Sequence, residues 1–307
     1  MKTFKSNLKP NTTQTGIALV QVLIISLILS SLAIFISQAV KSQVNTVRQM
    51  QQAFELRLKL ESVEAQLLQT LLTEQPYVNV NSFNPLVTKW NFYGKKFAID
   101  DNTNVAIQDL SSLINLNIID RRLMLSMLFK LGVDESESYI FLDSLLDWVD
   151  ADDFKRINGA ESQYYKSQNV PGPRNGYIQS MAEVNFVKGA HILSDEQWSK
   201  YFSTELVSGF NPLNAPTQIL SAFIKADNIV NQVIELRENN QLNMLKFYQL
   251  TGIEDDEFIT FATGSRFLVK ITVERGNQRV SKQFTVALNP RSVLRPIIIT
   301  DVAWNVE

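Results

Sequence analysis

IALVQVLIISLILSSLAIFIS, residues 17–37, holds 16 apolar side chains among 21, the others being Gln21 and four serines. It lies in a gap without charge between Lys9 and Lys41. About 20 such residues, rising 1.5 Å each, carry a helix across the hydrocarbon core of a bilayer. The stretch therefore predicts a transmembrane helix over residues 17–40. Lys2, Lys5 and Lys9 precede it, and basic flanks stay on the cytoplasmic side. The rest of the chain is then expected on the opposite side. A secretory signal peptide has a shorter apolar core followed by a small-x-small cleavage site. Here the apolar run begins directly after Gly16, in Thr15-Gly16-Ile17-Ala18-Leu19-Val20-Gln21. An uncleaved signal anchor is one reading of that junction.

Outward from the span, residues 42–74 contain neither Gly nor Pro. Leu56, Leu60, Val63, Leu67 and Leu71 follow each other by four, three, four and four positions, the spacing of one apolar helix face. The helix is predicted to run from about Ile17 to about Glu74, where Pro76 ends it, and to lay this face on a globular domain. A strand is predicted over residues 91–100, with Lys95 and Lys96 near its middle. Residues 107–252 read as mostly helical, broken at Gly132, Asp152 to Gly159 and Pro171 to Gly176. The period then changes. Phe267, Val269, Ile271 and Val273 alternate with Leu268, Lys270, Thr272 and Glu274, and Arg275-Gly276-Asn277 supplies a turn. Val280, Phe284 and Val286 continue on a second strand, with Lys282 interrupting the alternation: a β-hairpin. Ile297-Ile298-Ile299 adds a last strand. The predicted fold class is α+β: a long N-terminal helix packed on an antiparallel sheet, with a large all-α domain inserted in that sheet. The expected divisions are a leader at 1–16, the membrane helix at 17–40, an α/β domain from 41–106 and 253–307, and the helical insert at 107–252.

Composition narrows the chemistry. There is no cysteine, and the one histidine, His191, excludes His-rich zinc sites and His-pair catalysis. The net charge of -2 offers no bulk attraction to nucleic acid or anionic lipid. Among candidate sites the acidic string stands out. Leu142, Leu145, Leu146 and Val149 form one helix face, and Asp143, Asp147 and Asp150 lie opposite at i, i+4 and i+7. From Asp147 to Glu161 there are five acidic residues (Asp147, Asp150, Asp152, Asp153 and Glu161) and two basic ones, Lys155 and Arg156. Such crowding repels, and a helix C-terminus disfavours negative charge. Two readings follow: a calcium site, since that hard cation takes six to eight oxygens in irregular loops, or a solvated acidic loop. A membrane-tethered metal-dependent hydrolase would also need carboxylates, but no nucleophile elbow or phosphate loop accompanies these. Asn115 and Asn117 read as caps and Asx turns, and Asn214, before Pro216, as the start of a helix through Ile219, Leu220, Phe223 and Ile224. A helix-hairpin-helix contact with DNA is disfavoured, because Leu206 to Ile253 has three basic and three acidic residues and no net charge.

Several of these stretches resemble one family. The Gly16–Ile17 junction resembles a prepilin leader, which a membrane peptidase cuts after the glycine before methylating the new N-terminus. Mature pilins mostly carry glutamate at the fifth position, and here that position is Gln21. The K-type minor pseudopilins of type II secretion systems are the class lacking it. Leu145-Leu146-Asp147-Trp148-Val149-Asp150-Ala151-Asp152-Asp153 closely resembles that family's most recognisable motif, and Gly159-Ala160-Glu161 and Tyr164-Tyr165 follow at its spacing. Ile114-Asn115-Leu116-Asn117 resembles its Asn-rich segment. Asn211-Pro212-Leu213-Asn214-Ala215-Pro216 resembles its second Asn-rich turn more loosely, the family usually having Thr and Ala at the last two positions. The resemblance implies a pilin-like fold and a structural, non-enzymatic subunit. It implies Ca2+ sites in the helical domain, with Asp147, Asp150, Asp152, Asp153 and Glu161 as ligands, and Gln21 as a filament-assembly position. It implies the I- and J-type minor pseudopilins, the major pseudopilin and prepilin peptidase as partners. The expected location is the bacterial inner membrane, single-pass, with the C-terminal domain periplasmic. A minor pilin of a type IV pilus or competence system shares the leader and the long helix, and is the competing reading.

Overall fold

The computed structural model describes residues 15–289 and 291–305. The leader expected over residues 1–16 lies outside the described residues as far as Gln14. The chain divides into two compact units, Met1–Glu55 and Leu56–Glu307. Helix α1 spans Thr15–Thr73. From Ile17 to Glu55 every side chain is exposed. Among the described residues this is the one helix long and apolar enough to cross a membrane. Hydrocarbon leaves polar groups no outside partner. The Ser26 hydroxyl finds one within the helix, donating to the Leu23 carbonyl at 2.9 Å.

The second unit is built on strands β1 (Phe97–Asp100), β2 (Thr103–Asp109), β3 (Ile114–Asn115), β4 (Phe202–Ser203), β5 (Arg266–Arg275), β6 (Gln278–Leu288) and β7 (Ile297–Trp304). Five form one sheet, in the order β1-β2-β5-β6-β7, antiparallel throughout. Leu56, Leu60, Val63, Leu67 and Leu71 of α1 are buried in one core with Val105 and Ile107, with Phe267, Val269, Ile271 and Val273, and with Phe284 and Val286. Each such Leu, Val, Ile or Phe contributes about 1.5–3 kcal/mol of transfer free energy. Lys282 occupies an inward position of β6 without interrupting the register. Its ammonium reaches Glu64 on α1 at 2.5 and 2.7 Å, and both side chains are nearly buried. The apparent break in alternation is thus an ion pair tying helix to sheet.

Two expectations about the first strands need correction. The strand expected over 91–100 is confined to residues 97–100. The Asn91 amide folds over instead, donating to the Lys95 carbonyl at 2.7 Å and accepting from the Lys95 N–H at 3.1 Å. That closes a loop and places Lys95 outside the strand. The helical region expected from residue 107 begins later, because β2 continues to Asp109 with Val105 and Ile107 facing the core. The boundary drawn at 106/107 falls inside that strand.

Between the adjacent strands β2 and β5 the chain makes a long excursion, residues 110–265. It carries α2 (Arg121–Lys130), α3 (Glu135–Val149), α4 (Ser162–Gln168), α5 (Asp195–Tyr201), α6 (Thr217–Ile224), α7 (Asp227–Glu238) and α8 (Met244–Thr251). These share a second core around Met127, Phe141, Leu145, Trp198, Ile219 and Phe247. The region is not wholly helical: β3 and β4 pair in parallel, Ile114 with Phe202 and Asn115 with Ser203. The asparagines explain that pair. Asn115 Oδ1 accepts from the N–H groups of Asn117 and Ile118 at 2.8 and 2.9 Å, an Asx turn. Buried Asn117 donates to the carbonyls of Ile178 and Thr204 and accepts from the Ile178 N–H. One side chain thereby joins three segments distant in sequence.

Candidate metal centre

Helix α3 delivers Asp143 and Asp147 one turn apart and ends on Asp150. The chain then reverses, and residues 150–161 fold back over the acidic face. That face is therefore buried: Asp147 is fully so and Asp143 nearly so. Arg156 compensates. Its Nη1 donates to Asp147 Oδ1 at 2.6 Å and to Asp150 Oδ2 at 2.5 Å, and its backbone N–H points at both Asp147 oxygens. Asp143 accepts from Asn158 Nδ2 at 2.9 Å and from Arg121 Nη2 at 3.2 Å. Lys188 Nζ donates to the Asn158 and Gly159 carbonyls at 3.1 and 3.3 Å. Gly159 leaves no room beside Asp147, since an added Cβ would stand 1.9 Å from Oδ2.

Glu161 is the group this arrangement leaves uncompensated. It is 5% exposed, and neither carboxylate oxygen has a hydrogen-bond partner. Burial, and then the fields of Asp147, Asp150, Asp153 and Asp152, push its carboxyl up to about 7. Asp150 Oδ1 is buried and unpartnered as well. Of the five expected ligands, Asp147 and Asp150 converge on Arg156 and Glu161 feels their charge. Asp152 and Asp153 lie at the exposed rim, accepting from the Phe154 N–H at 2.8 Å and the Ser162 hydroxyl at 3.2 Å. Among the described residues no three carboxylates converge as a ready-made cage. The orphaned oxygens of Glu161 and Asp150 nonetheless suit a hard oxygen-seeking cation such as Ca2+. The positive charge between Asp147 and Asp150 in this structure is the guanidinium of Arg156.

The other motif residues are structural. Trp148 Nε1 donates to Glu183 Oε1 at 3.0 Å, and Arg174 holds the same carboxylate from two nitrogens at 2.7 and 2.8 Å. Tyr165 packs edge-on against the Trp148 ring at 5.2 Å. His191 is 80% exposed, 3.9 Å from Glu137.

Sequence reasoning missed the root of the excursion. Asp109, at the end of β2, is fully buried. It accepts from the Ser111 N–H and hydroxyl at 3.0 and 2.6 Å, from Asn211 Nδ2 at 3.2 Å, from Asn214 Nδ2 at 3.0 Å and from the Gly264 N–H at 3.2 Å. One carboxylate thus gathers the outgoing strand, the second Asn-rich turn and the returning chain. Asn211 also caps its own turn, Oδ1 accepting from the Leu213 N–H at 3.1 Å. The turn chemistry was legible in the sequence, whereas its anchor was not.

Residues 103–196 match the family described as Type II secretion system (T2SS), protein K. The putative type II secretion system protein K of Escherichia coli K12 is 23% identical over 195 residues, covering 58% of this chain and 59% of that protein. Type II secretion system protein K of Klebsiella pneumoniae is 29% identical over 198 residues, with the same coverage of 58% and 59%. The match thus spans 59% of the length of both relatives. In fold, the chain is similar to a chain from the crystal structure of the GspK-GspI-GspJ complex of the enterotoxigenic Escherichia coli type 2 secretion system. The TM-score is 0.52 at 14% identity, over 86% of this chain and 100% of that one. Over residues 103–196, and in the stretches aligned with these two relatives, this chain resembles protein K of the type II secretion system, and its fold is similar to that of a chain in the complex.

Proposed function

We propose that the chain is a minor pseudopilin of a type II secretion system, a structural subunit that starts or caps the tip of a periplasmic pseudopilus used for export across the outer membrane. The observation that carries this reading is the excursion of residues 110–265 between adjacent strands. Such bulk on the head crowds a repeating helical array but can be carried once, at an end. Gln21 supports the same place. It is neutral, so it cannot pair with the amine of a subunit ahead, and an unpaired glutamate in hydrocarbon would be costly. The amine at Ile17 stays available to a glutamate arriving from behind. In this reading α1 anchors the chain once in the inner membrane, with its N-terminus cytoplasmic and its second unit periplasmic. Prepilin peptidase processes it between Gly16 and Ile17, and its partners are the I- and J-type minor pseudopilins and the major pseudopilin. Mass spectrometry of the protein from membranes containing active prepilin peptidase tests the assignment. The expected chain starts at methylated Ile17. Retention of residues 1–16 would refute the processing and the class together.

Within the same reading Ca2+ belongs to the acidic centre, held by Asp150 and Glu161 with Asp147, Asp152 and Asp153 around it, and it would supply the positive charge that Glu161 lacks. Without it, the folded state holds the Glu161 proton more tightly than the unfolded chain does. Stability then falls as pH rises from the ordinary carboxylate range to about 7. Calcium competes with that proton, so its benefit is expected to grow over the same interval. At a hundredfold excess over its dissociation constant it should stabilise the full chain in detergent by about 2.7 kcal/mol above pH 7, and by less near pH 5. Glu161→Gln should raise the melting temperature without calcium and abolish most of the response to it. A melting temperature that ignores calcium, magnesium and chelator alike would remove the metal from the account.

A further inference from the structure

Arg237, on α7, has 8% of its surface exposed. Its Nη1 donates to the Ala215 carbonyl at 2.6 Å, and its guanidinium carbon stands 4.2 Å from the centre of the Tyr93 ring. Its Nε is buried with no hydrogen-bond partner. Among the described residues no carboxylate forms an ion pair with it. The adjacent Glu238 turns away to Lys95, at 2.8 Å. Burial lowers the guanidinium to about 10, still well above neutrality, so it stays charged. A buried cation without a counter-ion is destabilising until a negative charge comes beside it.

The same side chain lines an open cleft of about 370 Å3. Phe92, Leu213 and Phe261 contribute apolar wall, while Tyr77 and Met244 stand exposed at its edge. That volume lies at the small end of ligand pockets, which run from about 300 to 1,000 Å3. Three of the cleft's asparagines are occupied: Asn91 closes its own loop on Lys95, Asn214 donates to Asp109, and Asn243 caps α8 through the Lys246 N–H at 3.0 Å, while exposed Asn240 lines the cleft as well. Among the cleft's lining residues the charged side chain is that of Arg237.

We propose that this cleft receives an acidic side chain of a partner polypeptide, its carboxylate set against the charge of Arg237 where that residue lines the cleft and its apolar neighbours resting on the aromatic wall. A carboxylate fits better than phosphate because one guanidinium balances one negative charge, and the neighbouring ammonium of Lys95 is already paired. Charge-assisted N–H···O bonds of this kind are about twice as strong as neutral ones. The wall holds the hydrophobic part of the segment, so recognition needs both an acid and an apolar neighbour.

The test uses the full chain in detergent, labelled with nitrogen-15 in arginine, and follows the Arg237 Nε–H signal. Acetyl-Leu-Glu-amide is added as the probe, with acetyl-Leu-Gln-amide as its uncharged counterpart. The expected result is a saturable shift with the glutamate peptide, at a dissociation constant on the order of a millimolar or below, and none with the glutamine peptide. Met244→Trp, an exposed edge substitution, should abolish the shift while leaving the Nε–H signal in place. Arg237→Met should remove the binding altogether. The proposal is overturned by an unmoved signal up to about 50 mM peptide, by equal shifts from both peptides, or by an equal shift from inorganic phosphate.

Discussion

Gly159→Ala is expected to destabilise the protein by about 3 kcal/mol or more, because the new methyl group displaces a buried charge from its partner. The added Cβ would meet Asp147 Oδ2 at 1.9 Å, its Cγ at 2.7 Å and the Asp143 carbonyl oxygen at 3.1 Å. A flexible side chain could swing aside, but Asp147 is fully buried and bound by both the guanidinium and the backbone N–H of Arg156. Moving it leaves a fully buried carboxylate without its partners, while Arg156 keeps Asp150. Moving the loop instead withdraws Asn158 from Asp143. Gly172→Ala is the matched control, since its Cβ would find only Tyr165 Cβ, at an ordinary 3.8 Å. Denaturant melts of the two variants should separate by the full amount. A Gly159→Ala variant within about 1 kcal/mol of the parent would show that the loop does not hold Asp147 as described.

Asp109→Leu should be of comparable size or larger. It leaves the Ser111 N–H and hydroxyl and the Gly264 N–H facing an apolar group, while the Asn211 and Asn214 amides keep only the Ala262 carbonyl and the Thr263 hydroxyl. Each buried donor so orphaned costs about 1–3 kcal/mol, giving a sum on the order of 5 kcal/mol after partial relaxation. Asp109→Asn keeps one oxygen acceptor and should fall between the parent and the leucine variant. The position of the loss is also predictable. Hydrogen exchange should accelerate first around residues 109–112, 211–214 and 262–265, where the excursion joins the sheet, before the α3 core opens. Uniform acceleration with a loss below about 1 kcal/mol would mean that the carboxylate is not the root of the excursion.

What the sequence made legible follows from how local each signal is. Helix α1 was readable because the Leu56–Leu71 spacing is written within one element, and β5 and β6 because their alternation is. β2 was not readable. Its alternating part is short, ends on an acid, and needs β5, its partner far along the chain, to make it a strand. Lys282 looked like a fault in the pattern because its explanation, Glu64, lies 218 residues away. In the acidic string the excess of negative charge was countable, and the burial of Glu161 without a partner agrees with it. The count could not say that Arg156, rather than Lys155, folds back between Asp147 and Asp150. Asp109 carried no local sign at all, because its amide partners lie 102 and 105 residues away.

The central claim is that this chain occupies one end of a filament instead of repeating along it. The chain has no cysteine, so single cysteines introduced between Val44 and Leu60 report contacts of α1 alone. Crosslinking in membranes that hold all the pseudopilins of the system is the most direct measurement. The account predicts discrete adducts with other minor pseudopilins and with the major one, without a series built from this chain. A ladder of increasing size containing only this chain would make it a repeating shaft subunit and contradict the account.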